Sequence, residues 1–329
     1  AIHPKRPMTS KRIFVTGASG CIGHYLVEAL IQETNYELFL LVRDPGKLKI
    51  DCNVRPGITV LQGNMQEIEQ FSDLLKTIDC AILTATSWGG PQEVFDINVV
   101  KTIRLLNLLD PDVCQQVFYF STASILDRNN QPLKEAGEIG TDYVRSKYVC
   151  YRQLSKLAIA PNVVTLYPTL LLGGDAQKPW SHISSGITKE AKWLNLLRFF
   201  SIDATFHYIH AKDVAQVVCY LIEHPEQVDD SQQVVLGNPP VSANQAIEEA
   251  CAYLHKRIYF RIPLTQRLLD FIFNLLRIKI EAWDRFAMRY RHFVHQNPVT
   301  PSTYGLPTYC ASFADVLKLS GVPPKRRRR

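Results

Sequence analysis

The sequence predicts an α/β fold: a doubly wound parallel sheet followed by a smaller, mostly helical C-terminal cap. In the first half of the chain, short apolar segments rich in β-branched and aromatic residues alternate with helical patterns. These apolar segments are nearly continuous, as expected for strands that are covered on both faces. Such alternation predicts parallel strands joined by right-handed helical crossovers. After about Gly173 the helical patterns dominate, which predicts the cap.

The predicted elements follow in chain order. In the first half, strands are predicted at 12–16, 37–43, 58–62, 79–84, 116–121 and 162–167. The helices between them are predicted at 21–33, 66–77, 91–109 and 141–159. In the second half, helices are predicted at 179–198, 211–224, 242–255 and 264–292, with short strands near 205–209, 232–236 and 257–262.

The last long helix, 264–292, carries one narrow polar stripe. Its polar residues recur at spacings of three and four residues and leave a very broad apolar surface between them. They are Arg267, Asp270, Asn274, Arg277 and Glu281. We favour a cap helix that is buried on most sides. The alternative is a helix that lies on a membrane surface or lines an apolar substrate pocket.

Composition and charge indicate a globular enzyme. Hydrophobic residues make up 46% and charged residues 21% of the 329 residues, both ordinary values. Five of the positive charges lie in the run 325–329, which leaves a net charge of +1 for the other residues, so we expect a solvated basic tail and no nucleic-acid partner. The eight cysteines are scattered without a C-x-x-C pair, which favours reduced thiols in a cytoplasmic protein over a metal site or a disulfide framework. Neither a signal peptide nor a transmembrane stretch is predicted.

A glycine-rich loop gives the strongest local signal. Gly17, Gly20 and Gly23 stand between an apolar strand and a helix in the segment RIFVTGASGCIGHYLVEAL. Glycine permits a tight turn, lets the backbone approach a pyrophosphate, and allows close packing of the helix on the strand. The N–H groups at the start of the following helix attract phosphate. The segment therefore predicts a dinucleotide site, which Ser19, Cys21 and Ile22 complete.

The G-x-x-G-x-x-G spacing resembles that of the short-chain dehydrogenase/reductase superfamily, and later motifs resemble its extended branch of epimerases, dehydratases and reductases. The resemblance covers roughly 11 to 225 and implies a dinucleotide-binding Rossmann domain over 11–172, with 205–240 returning to it. The predicted cap is then 173–204 with 241–318, between a flexible N-terminus over 1–10 and a basic tail over 319–329. The resemblance also implies further cofactor contacts at Asn64, Met65, Thr84, Ala85, Thr86, Asn98 and Pro168.

The tip of the second predicted strand bears on the choice of cofactor. A carboxylate at this position usually selects NAD, whereas a cation accommodates the 2′-phosphate of NADP. Arg43 occupies it, so we favour NADP(H). Because Asp44 follows immediately, a shift of one residue would reverse the choice, and NAD(H) remains the alternative.

Tyr143 and Lys147 form the predicted catalytic pair. Hydride transfer at a carbonyl requires a proton donor, and a nearby cation lowers the pKa of a tyrosine from about 10. Residues four apart on a helix lie one turn apart. Tyr208 and Lys212 repeat the Y-x-x-x-K pattern, but only Tyr143 follows a strand ending in Ser-Thr. The resemblance implies that Tyr143 is the general acid/base, that Thr122 binds the substrate oxygen, and that Lys147 binds the nicotinamide ribose and lowers the pKa of the tyrosine.

Three functions follow from these observations. Aromatic and aliphatic residues in the cap favour an NADP(H)-dependent oxidoreductase acting on a fairly apolar carbonyl or alcohol. A sugar-nucleotide epimerase or dehydratase is the second, and it needs cap cations that converge on the cofactor. The third is a non-catalytic dinucleotide-binding scaffold or sensor that contacts a partner or a membrane surface through the helix 264–292 and the basic tail. The resemblance further implies a homodimer.

Overall fold

The computed structural model describes residues 10–324. The predicted N-terminal segment 1–10 and the basic run of the predicted tail therefore fall almost entirely outside the described residues. Thirteen strands lie within them: β1 (Arg12–Thr16), β2 (Glu37–Val42), β3 (Ile58–Gln62), β4 (Cys80–Leu83), β5 (Gln116–Phe120), β6 (Val163–Pro168), β7 (Leu170–Leu172), β8 (Phe200–Ser201), β9 (Thr205–Phe206), β10 (Tyr208–His210), β11 (Gln233–Leu236), β12 (Val241–Ser242) and β13 (Ile262–Pro263).

Thirteen α-helices accompany them over the same residues. They are α1 (Cys21–Glu33), α2 (Ser72–Leu75), α3 (Pro91–Phe95), α4 (Thr102–Leu108), α5 (Lys134–Ile139), α6 (Asp142–Leu154), α7 (His182–Glu190), α8 (Leu194–Leu197), α9 (Ala211–Glu223), α10 (Ala243–Tyr253), α11 (Gln266–Leu275), α12 (Ala282–Tyr290) and α13 (Phe313–Leu319).

A seven-stranded sheet forms the centre of the molecule, in the order β11-β6-β5-β4-β1-β2-β3 with every pair parallel. Successive strand residues point to opposite faces, so Ile13 and Val15 pack under α1 and α9 while Phe14 packs under α4 and α6. Both faces are covered, which confirms the predicted doubly wound α/β fold. The strand order reverses between β1 and β4, and a crevice opens there at the carboxyl ends of the strands.

Several element predictions need correction. The predicted helix 66–77 is a 3-10 segment, Met65–Phe71, followed by the short α2. The predicted helix 91–109 contains a π-helical segment, Asp96–Lys101, between α3 and α4. The predicted strand 257–262 is reduced to the two residues of β13. The short elements β7, α5 and α13 were not predicted.

The prediction of one buried helix over 264–292 is wrong. The chain forms α11 and α12 instead, and Arg277 between them has a φ of +52°, which ends the first helix. Neither helix has a buried residue. Phe271 and Leu275 are 62% and 68% exposed, because the cap core is built from α8, α10 and α13 rather than from α11. Among the helices within 10–324, none combines the length and the hydropathy required to cross a membrane.

Candidate active site

One cavity of about 950 Å³ opens at the carboxyl ends of the central strands. Its walls come from the glycine loop, the ends of β2, β4, β5 and β6, the start of α6 and the start of α7. With the exception of Asn98, every site residue predicted from the sequence lines this cavity. They are Gly17, Ser19, Gly20, Cys21, Ile22, Gly23, Arg43, Asn64, Met65, Thr84, Ala85, Thr86, Thr122, Tyr143, Lys147 and Pro168.

The glycine loop has room for backbone only. Gly17 has a φ of +70°, and a Cβ there would lie 2.6 Å from the amide nitrogen of Ala85. A Cβ on Gly23 would lie 2.1 Å from the carbonyl oxygen of Gly17. The helix α1 then begins at Cys21 with no side-chain cap and no acidic residue in its first turn. Its first N–H groups therefore remain available to an anion in the cavity.

The tip of β2 separates a cation from a carboxylate. Arg43 lines the cavity, and Lys47 lines it as well. The Asp44 carboxylate instead accepts a hydrogen bond of 2.9 Å from the Gly46 amide and caps the 3-10 turn Pro45–Lys47. Sequence reasoning missed Lys47, because only the turn that Asp44 caps brings it back to the cavity.

The end of β4 is tied to the neighbouring elements by short hydrogen bonds. The Thr84 hydroxyl donates to the Thr16 carbonyl at 2.6 Å, and the Ala85 amide donates to the Thr16 hydroxyl at 3.2 Å. These two bonds fix the small-residue floor of the cavity where β1 and β4 diverge.

Asn98 lies behind the cavity wall rather than in it. It is fully buried in the π-helical segment, and its side-chain oxygen accepts from the Ser87 amide at 2.8 Å and from the Thr86 hydroxyl at 3.1 Å. Its amide nitrogen donates to the Ser87 carbonyl and to the Ser146 hydroxyl. Ser146 in turn donates to the Tyr143 carbonyl at 2.7 Å. Asn98 therefore connects the β4 loop to the first turn of α6.

The Thr122 hydroxyl lies beside Tyr143, whose pKa it lowers as a hydrogen-bond donor, and it accepts from the Ser124 amide at 3.3 Å. Lys147 is buried one turn away and donates to the Phe120 carbonyl at 2.8 Å, with its Nζ 5.8 Å from the centre of the Tyr143 ring. Burial lowers the pKa of Lys147 to about 8. Burial also raises the pKa of Tyr143 above its ordinary value, and only the hydrogen bond from Thr122 opposes that shift. The expected lowering of the tyrosine pKa by Lys147 is not found, because desolvation is the dominant influence on Tyr143.

The second Y-x-x-x-K copy lies elsewhere. Tyr208 is buried on β10 and donates to the Ala311 carbonyl, whereas Lys212 lies on α9 over the Tyr309 ring, 4.4 Å from its centre. Neither lines the cavity. The helix α9 begins with an acidic residue in its first turn, Asp213, which does not cap it. The cap is His210, and the Asp213 carboxylate accepts from the Tyr309 and Cys310 amides.

The outer part of the cavity is aromatic and apolar. Trp88 stacks on the Tyr143 ring with centroids 3.8 Å apart, and it also contacts His182 at 4.5 Å. Sequence reasoning missed both residues; the only available signal was a tryptophan soon after a strand end. The other apolar residues of this outer part are Leu170, Leu171, Pro179, Trp180 and Ile183.

The cap cations that a sugar-nucleotide enzyme would need, Lys178 and Arg198, do not line the cavity. Lys178 pairs with Glu28 at 2.8 Å and with Asp175 at 3.5 Å. Arg198 donates to the Arg257 carbonyl and lies over Phe199. Within residues 10–324, the cationic side chains that line the cavity are Arg43, Lys47 and Lys147.

Comparisons with known proteins agree with this geometry. Residues 13–237 match the NAD dependent epimerase/dehydratase family. GDP-mannose 4,6-dehydratase sdnI of Sordaria araneosa is 25% identical over 251 residues, which are 69% of this chain and 45% of that protein. Sterol-4-alpha-carboxylate 3-dehydrogenase, decarboxylating, of Dictyostelium discoideum is 26% identical over 134 residues, 39% of this chain and 40% of that protein. The chain thus spans less than half the length of these curated relatives.

A solved structure resembles the whole chain. The dTDP-glucose 4,6-dehydratase of Bacillus anthracis str. Ames in complex with NAD superposes with a TM-score of 0.63 and 13% identity, over 94% of this chain and 96% of that one. At this identity the likeness concerns the fold alone.

Proposed function

The chain belongs to the NAD dependent epimerase/dehydratase family, a family of enzymes, and from that membership we propose that it is an NADP(H)-dependent oxidoreductase. Its substrate is a fairly apolar ketone or the corresponding alcohol. The observation that carries the proposal is that one cavity is lined by both the glycine loop and the hydroxyl groups of Thr122 and Tyr143.

The residues present fit a dinucleotide. The glycine loop leaves space that a Cβ at Gly17 or Gly23 would fill, and the uncapped start of α1 offers N–H groups to a pyrophosphate. Ser121 provides a second observation that fits a bound ligand. Its hydroxyl is buried in the cavity wall without a hydrogen-bond partner among the described residues. A buried hydroxyl of this kind costs stability unless a ligand completes its hydrogen bonds.

The preference for NADP(H) rests on the tip of β2. Arg43 and Lys47 present two cations to the cavity, whereas the Asp44 carboxylate is engaged with the Gly46 amide. Two cations would pair with the 2′-phosphate of NADP(H), and a free carboxylate would have favoured the ribose hydroxyls of NAD(H). This arrangement supports the cofactor that we favoured from the sequence.

Residues of the protein itself then bind the substrate oxygen and donate the proton to it. When bound, the nicotinamide supplies a hydride to the carbonyl carbon, or accepts one from the alcohol. Thr122 holds the substrate oxygen, and Tyr143 donates the proton that converts it to a hydroxyl. Because burial raises the pKa of Tyr143, the phenol keeps its proton at neutral pH and is prepared to act as an acid. The charge of Lys147 stabilises the phenolate until solvent returns the proton.

The substrate class follows from the outer part of the cavity. Trp88, Trp180 and Ile183 are 41–54% exposed there, and an apolar ligand would remove that surface from water. A diphosphate would need cations of the cap that face the cavity. Lys178 instead pairs with Glu28, and Arg198 donates to the Arg257 carbonyl. The similarity to a sterol dehydrogenase supports an apolar substrate.

A sugar-nucleotide dehydratase or epimerase remains the second candidate. The relative GDP-mannose 4,6-dehydratase sdnI, which matches 69% of this chain, favours it.

The test is a calorimetric titration of the purified protein with NADPH and, separately, with NADH, which measures the Kd for each dinucleotide. Arg43→Ala and Lys47→Ala are each expected to weaken NADPH binding by about tenfold to a hundredfold, since a charge-assisted hydrogen bond contributes about 1.5–3 kcal/mol. Affinity for NADH should stay unchanged. Lys49→Ala is the matched control, because Lys49 belongs to the same loop but donates to the Gly46 carbonyl outside the cavity.

Two results would overturn the proposal. If neither dinucleotide binds, the protein is not the enzyme that we propose. If NADH binds more tightly than NADPH and Arg43→Ala changes nothing, the cofactor assignment is wrong and the sugar-nucleotide dehydratase becomes the leading candidate. If NADPH binds as expected, oxidation of NADPH with acetophenone as an apolar probe and with a nucleotide-sugar as a polar probe separates the two substrate classes.

A further inference from the structure

The segment from Lys256 to Arg291 presents an exposed apolar surface. Seven large side chains within it are between 47% and 72% exposed, although residues of these types are normally buried. They are Tyr259, Phe260, Ile262, Phe271, Leu275, Leu276 and Ile278, and we call them the apolar surface of the cap. Contiguous exposed apolar side chains on a protein mark a site of interaction.

The same segment concentrates positive charge. Between Lys256 and Arg291 the sequence has nine basic and three acidic residues, a net charge of +6. The rest of the chain, apart from the terminal run 325–329, carries a net charge of −5. Arg267, Arg277 and Lys279 are exposed, and none of them has an acidic partner within ion-pair distance among residues 10–324.

Charge decides which partner fits this surface. In a twofold dimer the same surface would face itself and would bring two segments of charge +6 together, which is unfavourable. A nucleic acid would satisfy the cations, but Ile262, Leu275 and Leu276 would gain nothing from its phosphates. An anionic bilayer satisfies both components, since apolar side chains enter the acyl boundary while arginine and lysine remain at the phosphates.

We propose that α11 and the loops on either side of it dock the protein on an anionic membrane surface, as a monotopic contact that does not span the bilayer. The helix is suited to this because its polar residues share one side, whereas Phe271 and Leu275 on its apolar side are exposed beside the half-buried Leu268 and Ile272. The break at Arg277 lets the helix lie flat without displacing α12, which packs against the same hydrophobic cluster as Tyr143. This inference stands independently of the proposed reaction.

Co-sedimentation with vesicles tests it, without dinucleotide or substrate. The full chain is expected to bind vesicles of phosphatidylcholine and phosphatidylglycerol in equal amounts, and to bind pure phosphatidylcholine far more weakly. Arg277→Gln with Lys279→Gln should reduce binding about 30-fold, since each cation near an anionic surface contributes about a factor of five. Phe271→Glu with Leu275→Glu should reduce it at least as much, since both side chains would enter the acyl boundary.

Matched controls come from other parts of the surface. Val54→Glu places a glutamate on an apolar side chain that is 63% exposed, and Arg152→Gln with Lys156→Gln removes two exposed cations from the end of α6 and the turn that follows it. Both controls should bind like the unmodified protein. Circular dichroism verifies that each variant is folded, which these exposed positions permit.

Three results would overturn the proposal. The first is that the unmodified protein stays in the supernatant with anionic vesicles at low salt. The second is that the α11 variants bind as the controls do. The third is a dimer in vesicle-free buffer that Phe271→Glu with Leu275→Glu abolishes, together with no vesicle binding, because a second copy then covers the surface. Since no dinucleotide is present, none of these results bears on the proposed reaction.

Discussion

Replacing Asn98 by alanine is expected to lower the free energy of unfolding by about 4 kcal/mol, because the side chain makes four hydrogen bonds at about 1 kcal/mol each. Asn98 itself has no exposed surface, and three of the four bonds are buried while the one from Thr86 is partly buried. The partners Thr86, Ser87 and Ser146 would be left without a replacement in the protein. Urea denaturation followed by tryptophan fluorescence measures the change.

The isosteric variant Asn98→Asp separates an effect on the position of α6 from an effect on the stability of the protein. Asn98→Asp keeps the acceptor for the Ser87 amide but loses both N–H donors. The Ser146 hydroxyl has a single proton, so a carboxylate at Asn98 would compete with the Tyr143 carbonyl for it. We therefore expect kcat for reduction of the probe ketone to fall about tenfold while the Kd for NADPH changes little, since misplacing a reacting group lowers the rate of the chemical step.

The control is Asn107→Ala, an exposed asparagine on α4, the helix that continues from the same π-helical segment. If Asn98→Ala costs less than about 1 kcal/mol, or if Asn98→Asp and Asn107→Ala have the same kcat, the connection between the β4 loop and the first turn of α6 does not matter and this reasoning is wrong.

Three other predictions concern the cavity. Tyr143→Phe should reduce kcat by about 10² to 10⁴, the usual contribution of a general acid, and leave the Kd for NADPH within about threefold; an unchanged kcat in steady-state assays would exclude the role. The pKa of Lys147 is lowered to about 8, so its ammonium loses the proton as pH rises through that value. The affinity for NADPH should therefore decrease above about pH 8. Lys147→Arg stays charged and should remove this dependence of NADPH affinity on pH. Trp88→Ala should raise KM for acetophenone and not for NADPH, whereas Trp193→Ala, equally exposed but outside the cavity wall, should leave KM unchanged.

The central sheet could be predicted because burial on both faces forces strand residues to be apolar. Every strand of the sheet was placed to within about one residue, since the segments are short, continuous and bounded by turns. The glycine loop was predictable for a related reason. A Cβ at Gly17 or Gly23 would overlap backbone atoms, so the conformation and the residue type determine each other.

The role of Asn98 could not be predicted, because its partners are distant in sequence. Ser146 lies 48 residues further along the chain, and the bond depends on α6 crossing the π-helical segment. Trp88 was missed for the same reason, since its stacking partner Tyr143 is brought to it only by the fold. A pattern within one segment records which face is apolar. It does not record which other segment meets that face.

The failed prediction over 264–292 has a different origin. Periodicity indicates an apolar face correctly here, but it contains no information about what covers that face. Burial was predicted because helices with such an apolar face usually belong to a protein core. The helix α11 is an exception, since α8, α10 and α13 already complete the cap core. The net charge of the segment was the neglected signal. A core helix rarely lies among nine basic residues, whereas a helix at an anionic surface requires cations beside its apolar residues.

The tip of β2 shows what local geometry adds to a choice of cofactor that the sequence alone leaves open. Arg43 and Asp44 are adjacent just beyond the end of β2 at Val42, so a shift of one residue decides whether a cation or a carboxylate lies at the ribose. Proline at position 45 favours a turn, and an aspartate just before such a turn accepts the Gly46 amide. That hydrogen bond withdraws the carboxylate, and the turn returns Lys47 to the cavity beside Arg43. The four residues after Arg43 thus engage the carboxylate in a turn and add a second cation to the cavity wall, which supports the proposed choice of NADP(H) more strongly than Arg43 alone.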